Sequence, residues 1–214
     1  MSDNFRSLAQ SRLPRTKGQR TAARIMDTAE ALFAQQGYPG TSLRQIARGA
    51  GIQEPGLYNH FAGKLEIYEA VMNRALAPIT AALSLRLKQA TGLPDFTELP
   101  SLITDLLIER PHRAALLLQV LNSAEDTAIT RQYRNWLETI FDSGVEGLGL
   151  LGLGVGLDRQ ALILNLIGIL NITAGYVLSR EQIKLMGGGE IIDPDNIARQ
   201  KALLRKVIRA MLIN

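Results

Sequence analysis

The chain has 214 residues, of which 46% are hydrophobic, 5% aromatic and 21% charged, with a formal net charge of +4 and no cysteine. Length and apolar content suit one medium domain, or a small one joined to a larger one, and argue against wholesale disorder and a polytopic membrane protein. The missing cysteines exclude disulfides, thiolate metal sites and a thiol nucleophile, and with only His60 and His112 a three-histidine metal site is excluded as well. No cofactor and no metal are expected. The opening Met1-Ser2-Asp3-Asn4-Phe5-Arg6 has no apolar core of signal-peptide length, so the expected location is the cytoplasm.

The charge is not spread evenly. Residues 1–74 hold ten basic and six acidic side chains, whereas residues 75–214 hold fourteen of each. Arg6, Arg12, Arg15, Lys17, Arg20 and Arg24 are opposed only by Asp3. Such asymmetry points to a front segment that touches a polyanion and a remainder with another task.

In chain order, the apolar positions Ile25, Ala29, Leu32 and Phe33 from Thr21 onward predict an amphipathic helix, stopped by Gly37-Tyr38-Pro39-Gly40. Ser42 with Gln45 three residues on reads as a capping box. It opens a two-turn helix with Leu43, Ile46, Ala47 and Ala50 on one face and Gly51 at its end. Pro55 suits the first position of the next helix, over residues 55–60, which turns Leu57 and the following Phe61 inward. After Ala62-Gly63, Lys64 opens a longer helix through Leu65, Tyr68, Met72 and Ala75. Two short helices joined by a tight glycine turn make a helix-turn-helix, whose second helix enters the major groove of DNA.

The run Thr41-Ser42-Leu43-Arg44-Gln45-Ile46-Ala47-Arg48-Gly49-Ala50-Gly51-Ile52, then Gly56-Leu57-Tyr58-Asn59-His60-Phe61 and Lys64, resembles the DNA-binding domain of the tetracycline-repressor (TetR) family. The likeness covers residues 18–74, about a third of the chain. It implies an all-α fold: a basic arm over 1–17, a three-helix helix-turn-helix domain over 18–64, and a larger helical effector-binding and dimerisation domain over 65–214. It further implies a homodimeric transcriptional regulator, expected to be a repressor, that binds a palindromic double-stranded operator and is released by a small molecule. The resemblance assigns phosphate contacts to Ser42, Arg44, Tyr58, His60 and Lys64, with Arg15 and Lys17 of the basic arm beside them. Gln53, Glu54, Pro55 and Asn59 occupy the front of the recognition helix as candidate base readers, since Asn and Gln pair with adenine and Glu accepts from cytosine. Gly56 stands where many members carry Ser or Thr, so a hydroxyl–phosphate contact is absent and a close backbone approach to DNA takes its place. Glu54, an acid facing phosphates, is expected to penalise wrong sequences.

Beyond residue 75 the resemblance is architectural. Pro78 is expected to end or kink the long helix, with further helices over 79–90, 99–109, 112–121 and 125–141. Gly147-Leu148-Gly149-Leu150-Leu151-Gly152 satisfies G-x-G-x-x-G literally. Its nucleotide reading needs a preceding strand and an acid about 20 residues on, and neither is in prospect, so a glycine-rich helix end and loop is expected over 144–156. Residues 160–179 carry no charge. Twenty such residues reach membrane-spanning length, but Asn165, Asn171, Thr173, Gly168 and Gly175 weaken that reading and predict a helix buried on all sides. The fold implied by the resemblance pairs this helix and the last one, over 194–213, with their copies; Leu162, Leu166, Gly168, Ile169, Gly175, Leu204, Ile208 and Met211 are the candidate interface. A two-fold dimer also sets recognition helices about 34–36 Å apart, or at multiples of it. Arg113, Gln119, Tyr133, Trp136, Asn165 and Asn171 are the polar or aromatic candidates for an effector pocket, and the uncharged stretches point to a hydrophobic or amphiphilic effector. No H-E-x-x-H, G-x-S-x-G or P-loop occurs, so no enzyme is expected; a non-DNA interaction module on the same fold is the alternative.

Overall fold

Thr16 shows why the first helix starts where it does. Its side chain accepts from the Gln19 amide at 3.2 Å while the Gln19 carboxamide accepts from the Thr16 amide at 3.0 Å, a reciprocal cap. In this computed structural model, which describes residues 16–123, 127–152 and 158–212, helix α1 therefore spans Lys17–Gly40, four residues earlier than its apolar pattern begins. Gly37, at φ 70°, kinks it ahead of Pro39. The same device starts α2 (Leu43–Gly49), where the Ser42 amide donates to Gln45 at 2.8 Å and Ser42 accepts in return at 3.2 Å. Gly51, at φ 65°, follows its C-cap. The predicted recognition helix is a 3-10 helix, Glu54–Asn59, with i→i+3 bonds Gly56 N–H to Gln53 and His60 N–H to Leu57. Helix α3 (Lys64–Gln89) follows, its first turn capped by Glu66, which accepts from the Ala62 amide.

The chain divides into two compact units between Val71 and Met72. The core of the first is Ile25, Ala29, Phe33, Ile46, Ala47, Ala50, Leu57, Ile67 and Val71, all essentially solvent-free. Leu65 lies outside this core, and Ile67 and Val71 supply the inner face of α3 instead. A ring cluster of Phe33, Tyr38 and Tyr68, with Phe33 and Tyr68 edge to face at 5.0 Å, locks the C-terminal end of α1. Helices α1 and α2 pack so closely that a Cβ on Gly49 would stand 2.5 Å from Thr28 Cγ2.

The second unit comprises the rest of α3 with α4 (Leu93–Glu109), α5 (His112–Leu121), α6 (Ala128–Leu150), α7 (Arg159–Leu178), α8 (Arg180–Leu185) and α9 (Pro194–Leu212). Helix α4 packs on α9 and α7, and α7 on α5 and α9. Lys201–Asp105 and Arg205–Glu98 ion pairs bracket the α4–α9 contact. Tyr133 donates to the Met72 carbonyl at 2.8 Å and Gln132 to Asn73 at 3.0 Å, fastening α6 to α3.

Three further helix boundaries differ from those expected. Pro78 lies inside an unbroken α3. An internal proline costs about 3 kcal/mol or more. Around it, however, Met72, Ala75, Leu76 and Ile79 are fully buried, and each large side chain contributes about 1.5–3 kcal/mol. Packing wins. Helix α4 begins at Leu93, not residue 99, because Pro94 sits in its first turn and the Asp95 carboxylate accepts from the Thr91 and Gly92 amides. These bonds, first those from Thr91, hold the Asp95 carboxyl below its ordinary pKa. Helix α6 runs on through Gly144, Gly147 and Gly149 to Leu150, with Gly152 turning at φ 64° just beyond it. The first part of the glycine run is therefore helix, residues 153–157 lie outside the described residues, and a helix stands where the nucleotide fingerprint needs a strand. Gly147 is there for space: a Cβ would stand 3.0 Å from the Phe96 ring.

Candidate DNA interface and apolar cavity

In the first unit, α2 and the 3-10 helix turn a common set of side chains to solvent. Ser42, Arg44, Gln53, Glu54, Pro55, Tyr58 and Asn59 are all exposed, and so is Lys17 in the first turn of α1. His60 and Gly56 are half-buried beside them, and the His60 ring comes within reach of Gly18. The assembled surface carries cations and hydrogen-bonding groups over an apolar floor, the kind of face that grips phosphates while a short helix presents polar tips to base edges. Arg15 lies outside the described residues.

Two of the side chains expected to contact phosphates, Ser42 and Lys64, are already engaged. The Ser42 hydroxyl donates to Gln45 Oε1 at 2.8 Å, and Gln45 in turn donates to Gln36. Lys64 Nζ donates to the carbonyls of Tyr38 and Thr41, each at 2.8 Å, and stands 4.2 Å from the Tyr38 ring centre. The Lys64 side chain thus pins the kinked end of α1 to the start of α3, and what it leaves for an anion at this helix start is backbone N–H. Gly56 has φ in the ordinary range and room for a Cβ, with Ile52 the nearest neighbour at 3.9 Å, so neither strain nor packing demands glycine there.

In the second unit a cavity of about 160 Å³ opens between α3, α4, α6, α7 and α9. Leu83, Phe96, Ile103, Phe141, Leu166 and Met211 typify its lining, and among the described residues no charged side chain borders it. Of the six residues singled out in the sequence for a pocket, the structure brings two to this cavity, Trp136 and Asn165. Arg113 is buried with its guanidinium on the Leu106 carbonyl, Tyr133 is tied to Met72, Gln119 is half-buried on α5 away from the lining, and the exposed Asn171 bonds back to Ile167. The aromatic walls Phe96 and Phe141 carry no sequence signal beyond apolarity.

Residues 25–71 match the family model for bacterial regulatory proteins of the tetR family. The HTH-type transcriptional regulator TtgW of Pseudomonas putida is 31% identical over 131 residues, covering 61% of this chain and 80% of TtgW. The chain belongs to the TetR family. This TetR-family regulator is also 30% identical to SrpR of Pseudomonas putida, over 63% of the chain and 52% of SrpR. Its fold is that of SmeT, the repressor of the Stenotrophomonas maltophilia multidrug efflux pump SmeDEF, with TM-score 0.65, 21% identity and coverage of 91% and 93%. It is equally that of the ketosteroid regulator KstR2 of Mycobacterium tuberculosis, with TM-score 0.70, 17% identity and coverage of 94% and 98%. TetR-family members are DNA-binding transcription regulators and not enzymes.

The surface of this TetR-family chain departs from the sequence reading at α7. That helix is long and apolar enough to cross a membrane, but it packs on α4, α5 and α9 and buries Ile169, Leu170, Thr173, Ala174 and Val177. It is not buried on all sides. Ile163, Leu164, Ile167 and Leu178 are exposed in the single chain, and they recur at the 3–4-residue spacing of one face. Six of the residues named for an interface are engaged within the chain: Leu162, Leu166, Ile169, Ile208 and Met211 line the cavity and Leu204 is fully buried. A Cβ on Gly168 would stand 3.8 Å from Met211 Cε, whereas one on Gly175 would meet open space. An all-apolar helix gives no sign in its sequence of which side meets its own subunit.

Proposed function

We propose that the chain is a cytoplasmic, homodimeric repressor that binds a palindromic operator and leaves it when a hydrophobic small molecule fills the α3–α4–α6–α7–α9 cavity. The observation that carries the effector half of this reading is the cavity itself: about 160 Å³, walled by apolar and aromatic side chains, in the unit that does not carry the helix-turn-helix. Filling it favours whichever conformation keeps it open, and release follows only if that conformation binds DNA less well. Helix α3 supports such coupling, since it supplies Leu83 and Leu87 to the cavity and begins at Lys64 in the DNA-reading unit. SmeT's description as the repressor of a drug efflux pump and KstR2's as a ketosteroid regulator fit a bulky apolar effector class.

On the DNA side, Tyr58, His60, Lys17 and Arg44 hold phosphates together with the free amides at the start of α3, while Gln53, Glu54, Pro55 and Asn59 face the bases and Gly56 lets the backbone approach. Two copies meet through the exposed stripe of α7 and its neighbour α9, where Leu203 is also exposed. The test is release: with the dimer bound to a labelled duplex from its own upstream region, small apolar ligands should dissociate the complex. DNA binding indifferent to every ligand that enters the cavity contradicts the effector role.

A further inference from the structure

Asn171 lies outside the cavity, on the exposed stripe of α7, seven residues after Leu164 and seven before Leu178. Seven residues are about two helical turns, so the three side chains share one face. Its Nδ2 donates to the Ile167 carbonyl at 2.8 Å, which leaves one N–H and Oδ1 for a further partner. The stripe reads alike in both directions from this residue. At seven positions either side stands an exposed leucine. At four positions either side, the exposed Ile167 is matched by Gly175, where a Cβ would meet open space. In a two-fold interface residue i meets j and j meets i. An axis crossing α7 at Asn171 therefore sets Leu164 against Leu178 of the partner subunit and Ile167 into the gap at Gly175 of the partner subunit. Residues 160–179 carry no charge, so two copies of this face bring no like charges together. A carboxamide, being donor and acceptor at once, complements its own copy. An unrelated partner has no need of this symmetry; a second copy of the chain does.

Resting on the homodimer reading above, we propose that the two α7 helices pack antiparallel about a two-fold axis at Asn171, which pairs with Asn171 of the partner subunit and fixes the register. A single Asn in an apolar helix seam sets register at some expense in stability, because a slipped pairing buries its carboxamide unmatched. A fixed register is what an operator with fixed half-site spacing requires.

The chain has no cysteine, so introduced cysteines report the pairing without background. Full-length Asn171→Cys should form a disulfide-linked dimer under mild oxidation, read on a non-reducing gel, because a residue on the axis faces its own copy. Leu164→Cys alone should run as a monomer on that gel. Its two copies stand about 21 Å apart along antiparallel helices at 1.5 Å per residue, beyond disulfide reach. Leu164→Cys combined with Leu178→Cys should restore the cross-link. Adding Asn171→Leu to that pair should lower cross-linking severalfold while sedimentation still shows a dimer. A parent that sediments as a dimer, with no cross-link at 171 or with Leu164→Cys linking to itself, overturns the antiparallel register and leaves the dimer standing. Cross-linking of the pair unchanged by Asn171→Leu overturns the role of Asn171. A parent that sediments as a monomer overturns the homodimer reading and this proposal together.

Discussion

Lys64 is a cation that the family pattern hands to phosphate and the folded chain uses on itself. Two carbonyls and one aromatic face receive its ammonium, and charged hydrogen bonds of this kind contribute about 1.5–3 kcal/mol each where they are sheltered. Lys64→Met is therefore expected to lower unfolding stability in urea by about 2 kcal/mol, half-exposure discounting the full sum; an unchanged midpoint would show the pin to be idle. Glu54 is the opposite case, exposed at the start of the 3-10 helix. Removing its charge takes away a repulsion felt on every duplex and a penalty felt mostly on wrong ones. Glu54→Ala should narrow the gap between operator and scrambled duplex by about tenfold in competition binding, with operator affinity changed much less; a preserved gap sinks the idea. The local motif was legible because its partners lie three or four residues apart, as Ser42 and Gln45 do. The long-range use of Lys64, 23 and 26 residues from its acceptors, was not.

At the scale of elements, the sequence marks helices by their apolar period and ends them at proline and glycine, and the folded chain departs from the second rule in three places. Pro78 is carried by the buried side chains around it, Pro94 starts a helix in place of ending a loop, and Gly144, Gly147 and Gly149 sit within α6. Gly147 is where this matters for binding, since it lets α6 approach Phe96, a wall of the cavity. Alanine at 147 gains about 1 kcal/mol of helix propensity and must push the Phe96 ring away from its Cβ. The adjoining cavity is the space available to it. Gly147→Ala is thus expected to leave stability within about 1 kcal/mol of the parent and to weaken binding of an apolar single-ring probe such as ethylbenzene about tenfold, by calorimetry. A more stable protein with unaltered ligand affinity would show that this contact does not shape the cavity.

For the molecule as a whole, the cavity is assembled from five helices spread over 130 residues, so no spacing rule announces it, and of the sequence candidates only Trp136 and Asn165 reach it. The exposed stripe of α7 has the same origin: composition identified an apolar helix, and only the packed structure shows which side remains uncovered. Leu164, the most exposed of that stripe at 72%, is the position to test. Leu164→Glu with Ile167→Glu should yield a folded monomer by sedimentation, because neither side chain is needed by its own core, and should cost at least tenfold in operator affinity. A dimer that survives both charges would place the interface elsewhere.

The basic front of the chain, opposite a neutral remainder, is the feature from which the DNA-binding account begins. Fluorescence anisotropy of a labelled duplex from the gene's own upstream region, titrated with the full-length protein across a salt series, tests it most directly. Several phosphate contacts per subunit predict an affinity that falls by about 10³-fold or more between 50 and 200 mM salt. Absence of binding at 50 mM salt, or an affinity flat across the series, would contradict the account.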